Sequence, residues 1–174
     1  MAATGFETIK SQAVSPLGPK APTRTIGIAD VAIVRSPERL RTVLGSCVGI
    51  AIYDRAIRLG GMAHVILPAS TEGSGDPGKF ADTAVDALVE QLIAAGAEKL
   101  RLTAKIAGGA SMFGDDHPEA LGNRNVQAVL ARLGKHTIRL AGSAVGGRKG
   151  RRMLLDPTTG EVQVEIIGEA PQSI

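Results

Sequence analysis

Two short apolar runs frame this chain. Val48-Gly49-Ile50-Ala51-Ile52-Tyr53 runs up to Asp54, and Met62-Ala63-His64-Val65-Ile66-Leu67 runs from Gly60-Gly61 to Pro68. Runs of this length between turn-forming residues predict strands, and Asp54 to Leu59 predicts the turn of an antiparallel hairpin. Upstream, order is expected from Thr25, with Ile26, Ile28 and Val31 to Val34 forming a first strand and Pro37 marking a turn. Phe80, Ala84, Leu88, Leu92 and Ala95 recur at helical spacing, so Lys79 to Ala95 predicts a helix with Gly96 at its C′ position. Lys99 to Ile106 alternates Leu100, Leu102, Ala104 and Ile106, the pattern of a half-buried strand. A second helix carries Val126, Val129, Leu130 and Leu133 on its buried stripe, with Asn123 or Asn125 as its cap and Gly134 at its end. Thr137 to Ala141 is a short strand. Met153 to Leu155 and Val162 to Ile167 flank Asp156-Pro157-Thr158-Thr159-Gly160, a hairpin connection by composition.

About seven strands and a pair of principal helices alternate incompletely, with several strands in succession. That predicts an α/β fold of the α+β kind, a mixed and largely antiparallel sheet with helices on one side. Residues 1–24 are different material. Ser, Ala, Lys and Thr with Pro16, Pro19 and Pro22 present no periodic apolar face, so a disordered tail is expected before one domain over 25–174. The stretch ASTEGSGDPG after Pro68 also lacks a period and reads as a loop, either a plain connection or a gate beside a reactive centre.

Composition narrows the function classes. The chain has 174 residues, 44% of them hydrophobic but only 2% aromatic, so Val, Leu, Ile and Ala must fill the core. With no Trp and one Tyr, stacking surfaces for single-stranded nucleic acid are nearly absent. The net charge of +3 is too small to name a nucleic-acid partner, and none is expected. Gly146 to Arg152 gathers Arg148, Lys149, Arg151 and Arg152, which can bind phosphate or RNA, although most clusters this short are solvated. One cysteine excludes an intrachain disulfide framework and suits a reducing compartment. No apolar segment reaches the roughly 18–20 residues of a membrane span, and the N-terminus lacks a secretory layout. The chain is expected to be cytoplasmic, without membrane insertion.

The candidate chemistry sits in the hairpin. Cys47, the only cysteine, follows Gly45-Ser46, and His64 lies within the second apolar run. A thiol beside an imidazole is a nucleophile with its base, because the thiolate attacks and the imidazole that took its proton can later protonate a poor leaving group. A neighbouring His⁺ or oriented amides lower a thiol pKa from roughly 8.5 to about 3.5–7.5. Gly45 permits a sharp turn that aims the Cys47 N–H at a developing oxyanion. Thr42 and Ser46 are the nearby hydroxyls able to orient the imidazole. Singly, a cysteine or histidine in an apolar strand is usually core packing. Gly108-Gly109 reads as close backbone packing or a cleft wall, since neither a Walker nor a dinucleotide pattern is present. No cofactor and no metal are expected. His117 reads as a loop residue, and His136 as a cation at a helix end.

The runs LGSCVGIAIYD and GGMAHVILP resemble the CheD family of chemoreceptor glutamine deamidases. KFADTAVDAL, AKIAGGASMF, LGNRNV, GGRKGR and TGEVQV follow in that family's order, so the resemblance spans about Thr25 to Ile167. It implies a cysteine hydrolase converting receptor glutamines to glutamate through a thioester, in a three-layer α/β/β sandwich. It also implies Cys47 as nucleophile, His64 as base and Thr42 as the third member, with Arg124 and Asn125 near the cleft; Ser46, Gly45, Gly108 and Gly109 join them as cleft candidates on the residues alone. The implied partners are chemoreceptor cytoplasmic helices and a CheC-type phosphatase. The rival expectation is a non-catalytic adaptor that binds receptors or such a phosphatase.

Overall fold

The computed structural model describes residues 21–70, 75–112 and 117–174. The expected tail over 1–20, the middle of the loop after Pro68 and Phe113 lie outside the described residues. In chain order the elements are β1 (Thr23–Thr25), β2 (Val31–Arg35), β3 (Arg39–Leu44), β4 (Val48–Asp54), β5 (Leu59–Val65), α1 (Ala81–Ala94), β6 (Thr103–Gly108), α2 (Leu121–Lys135), β7 (Arg139–Val145), β8 (Arg151–Asp156), β9 (Glu161–Ile166) and β10 (Gln172–Ser173). One sheet runs β1-β3-β8-β9-β10 and the other β2-β5-β4-β6-β7. Both are mixed: β1/β3 and β6/β7 pair in parallel, and the other neighbours are antiparallel.

The hairpin forms where the apolar runs predict it, paired from Val48↔Val65 to Asp54↔Leu59. Asp54 accepts from the Ala56 N–H at 3.1 Å and caps the single turn Arg55–Ile57. Burial pushes the Asp54 carboxyl up, but hydrogen bonds from Arg101, Glu98 and Ala56 outweigh it and leave its pKa below the usual value. Every residue of β4 and β5 is buried, because this sheet is covered on both faces. Val48, Ile50 and Ile52 pack under Leu88 and Leu92 of α1 and Val126 and Val129 of α2. Cys47, Ala51 and Tyr53 face the second sheet, among Leu40, Leu44, Met153, Leu155 and Val164. The molecule is therefore helices on sheet on sheet, the three-layer α/β/β arrangement.

Some elements depart from the sequence pattern. Thr23 and Arg24, assigned by composition to the tail, lie in β1 beside β3. The first long strand is Val31–Arg35 alone. Ala29 turns at φ 67°, its N–H donates to the His64 carbonyl, and Ile28 is left exposed. Strand β3 is hidden in the sequence by its mixed polarity, since Leu40, Thr42 and Leu44 are buried while Arg41 and Val43 are exposed. Leu100 is 98% exposed and sits in a turn over Lys99–Arg101, where Arg101 reaches back to the buried Asp54; the strand begins at Thr103. Neither Asn123 nor Asn125 caps α2, which starts at Leu121 with Ala120 at the cap position. His136 does more than end a helix, for its Nε2 lies 2.6 Å from Asp86 Oδ1 on α1, where Arg132 also binds.

Candidate active site

Cys47 lies in the bend 45–47, where the chain crosses from β3 in one sheet to β4 in the other. Three groups hold this bend. The Gly109 N–H donates to the Cys47 carbonyl at 2.8 Å, the Ala110 N–H to the Gly45 carbonyl at 2.9 Å, and Asn125 Nδ2 to the Ser46 carbonyl at 3.3 Å. Gly108 stands at φ +105°, and a Cβ there would run into the Cys47 carbonyl oxygen, so only glycine lets β6 approach so closely. Gly108-Gly109 is thus a backing wall for the bend. Gly45 is not left-handed, so the bend does not depend on glycine's special conformations there. What Gly45 contributes is a carbonyl for Ala110 and a bare Cα beside Met112.

His64 pairs with Gly49, which puts its side chain on the face shared by positions 47, 49 and 51, toward the second sheet. Diagonal neighbours across an antiparallel pair lie about 7–8 Å apart at Cα, within reach of an imidazole. Across the intersheet space stands Thr42 on β3, wholly buried. Its Oγ1 lies 2.8 Å from His64 Nδ1 and donates to the Ile26 carbonyl at 3.0 Å. A hydroxyl has one hydrogen, and a carbonyl can only accept it. Nδ1 must therefore carry a proton and donate to Thr42, which leaves Nε2 as the unprotonated nitrogen. Nε2 is buried and has no hydrogen-bond partner among the described residues. The imidazole is thus held in the one tautomer that can accept a thiol proton. Of the two candidate hydroxyls it is Thr42, not Ser46, that bonds the ring.

A family model described as CheD chemotactic sensory transduction matches residues 66–166, more than half of the chain. The chain belongs to the CheD family. It is similar to the probable chemoreceptor glutamine deamidase CheD of Clostridium botulinum strain Eklund 17B, 45% identical over 149 residues that cover 82% of this chain and 92% of that one. The counterpart of strain Hall is 43% identical over 155 residues, covering 86% and 96%. Among solved structures, the Bacillus licheniformis hypothetical protein YfiH aligns with a TM-score of 0.42 at 14% identity, over 66% of this chain and 49% of that one.

In this CheD-family chain, burial shifts the pKa of both Cys47 and His64. Desolvation lowers the His64 pKa from its ordinary 6.5, against a smaller upward pull from Asp30. Desolvation raises the Cys47 thiol above 9.0, opposed by its own backbone N–H. The sequence pointed to a thiol lowered by a neighbouring His⁺ or by oriented amides; in the structure burial shifts both groups toward their neutral forms, and His64 Nε2 makes no hydrogen bond to the thiol.

The remaining candidates separate. Asn125 is fully buried and ties the bend to β5, donating to the Ile66 carbonyl at 2.9 Å as well as to Ser46. Arg124 is exposed and makes neither bond. Sequence reasoning missed Arg151, which it placed in a basic cluster read as solvated. Arg151 is 4% exposed and donates to the carbonyls of Ala144 and Gly146, so it braces the segment whose Gly147 carbonyl accepts from Ser111. The signal was present: Arg151, Met153 and Leu155 alternate on one face. A cleft of about 390 Å³ lined by Tyr53, Arg55, Lys105 and Ser143 lies at the far end of β4 and includes none of these residues.

Proposed function

We propose that this protein hydrolyses the side-chain carboxamide of glutamine on chemoreceptor cytoplasmic helices, with Cys47 as nucleophile, His64 as base and then acid, and Thr42 as the group that fixes the imidazole. The observation that carries the reading is the orphaned, unprotonated Nε2 of a histidine whose other nitrogen is tied to Thr42. Membership of the CheD family and the printed names of its relatives supply the substrate class. Cys47 Sγ gives its proton to Nε2 and attacks the carboxamide carbon, forming a C–S bond and an oxyanion. Collapse breaks the C–N bond, and the Nε2 proton leaves on ammonia. Water attacks the resulting thioester, giving a proton to Nε2; the C–S bond breaks, the sulfur regains its proton, and glutamate is released. General acid–base assistance of this kind contributes about 10²–10⁴ in rate. The new glutamate adds a negative charge to a receptor helix, where like charges at helical spacing repel.

This substrate places the protein's work in the cytoplasm; among the described residues no helix is long and apolar enough to cross a membrane. A CheC-type phosphatase is the second partner that the family resemblance implies, competing with receptors for this protein. The test incubates the full chain with a receptor cytoplasmic fragment and follows its glutamines by peptide mass spectrometry. Wild type converts them to glutamate, and Cys47→Ala and His64→Ala do not. Binding without conversion would replace the hydrolase by the adaptor.

A further inference from the structure

We infer that Asn125 is a positioning residue that sets the approach of Cys47 to His64 by bridging their strands where the backbone ladder stops. The β4–β5 ladder ends at Val48↔Val65. Beyond it the chains part. Ile66 and Leu67 give their N–H groups to the Lys79 carbonyl, both at 3.1 Å, while the other strand bends away through Cys47 toward β3. Asn125 spans this opening from α2, one Nδ2 hydrogen going to the Ser46 carbonyl and the other to Ile66.

The bond to Ser46 reaches further than a tie between strands. The Ser46 carbonyl and the Cys47 N–H belong to one planar peptide, in which they point in opposite directions. Fixing the carbonyl therefore fixes where the Cys47 N–H is aimed, a donor that can meet the oxyanion formed when Sγ attacks a carbonyl carbon. The amide orientation is unambiguous, because the flipped form would set an oxygen against two carbonyls. Asn125 occupies a helical stripe whose other buried members, Gly122, Val126, Val129 and Leu133, carry no polar side chain, and its own Oδ1 has no hydrogen-bond partner among the described residues. A group that only filled space there would carry no polar atoms.

Three measurements test this, and two of them need no substrate. In the wild-type protein both Asn125 side-chain amide protons should show slow solvent exchange by NMR; fast exchange of either removes the clamp. The pH profile of Cys47 alkylation by iodoacetamide comes next, in wild type, Asn125→Ala and Asn125→Asp. With the Cys47 N–H no longer held, the alkylation midpoint should move to higher pH in a still cooperatively unfolding variant; an unmoved midpoint overturns the proposal. Finally, on the receptor fragment kcat should fall about 10- to 100-fold, as small misplacements of reacting groups do, with KM nearly unchanged. An unchanged kcat, or a loss expressed in KM, also overturns it. Only this last arm rests on the amide-hydrolase reading. If wild type converts no glutamine, that reading fails while the exchange and alkylation arms still judge the clamp.

Discussion

Thr42→Val separates a hydroxyl that merely packs from one that sets a tautomer, because valine keeps the shape and removes only the oxygen. The change strands two groups in a fully buried place, the Ile26 carbonyl and the His64 Nδ1–H. Each buried unsatisfied group costs about 1–3 kcal/mol, so a loss of about 2–6 kcal/mol is expected, large beside the roughly 5–15 kcal/mol of a typical domain. The catalytic effect has a separate origin. The Nδ1–H tautomer loses its acceptor, and the ring drifts toward the form with hydrogen on Nε2, which cannot take a thiol proton. About 2 kcal/mol against the active tautomer is a factor of about 30 in kcat. Ammonia release from a receptor fragment gives kcat and KM, and thermal unfolding gives the stability. Thr42→Ser, which keeps the hydroxyl, should retain most of the rate. A wild-type kcat in Thr42→Val, or a loss confined to KM, would refute the tautomer argument.

The buried pair also fixes the pH behaviour. Because the His64 pKa is lowered, its base form persists as the pH drops past 6.5, and the acid limb of kcat/KM should have its midpoint below 6.5; a midpoint above that value contradicts the desolvation argument. Because the Cys47 pKa is raised, iodoacetamide should react slowly at pH 7, where under about 1% is thiolate, and the rate should climb to a midpoint above 9.0; a plateau by pH 8 would mean an ion pair instead. Gly108→Ala meets both a left-handed φ and the Cys47 carbonyl, so it should cost at least about 1–3 kcal/mol in thermal unfolding and depress kcat by moving the bend, and wild-type values of both would show that the wall yields. Asp86→Asn removes the partly exposed carboxylate charge shared by Arg132 and His136. The folded Asp86 pKa is lowered, chiefly by the Arg132 hydrogen bond, so its contribution is full above 3.8 and disappears as the pH falls through the folded value. Denaturant unfolding should show the variant less stable by about 1 kcal/mol at pH 7 and level with wild type in strong acid.

The sequence by itself determined what local periodicity and rarity can carry. An unbroken apolar run on each side of Asp54 specified the β4–β5 hairpin, since a sheet covered on both faces needs no polar alternation. Spacing near 3.6 specified α1 and most of α2. A lone thiol and a histidine in facing runs marked Cys47 and His64 before any contact was known. Resemblance, not periodicity, pointed to the three-layer arrangement and singled out Thr42 from Ser46. Tertiary structure decided which faces meet. Thr42 and His64 belong to different sheets, and their 2.8 Å contact exists only because the sheets stack with β3 over β5. Asn125 and Arg151 read locally as a cap and as part of a surface cluster, yet both are buried, their partners 59 residues away for Ile66 and seven for Ala144. The direction of the Cys47 and His64 pKa shifts was also hidden, because desolvation depends on what the fold places around a group rather than on its neighbours in sequence. Short-range pattern tells which side of an element is buried. What lies against that side is settled by packing between elements distant along the chain.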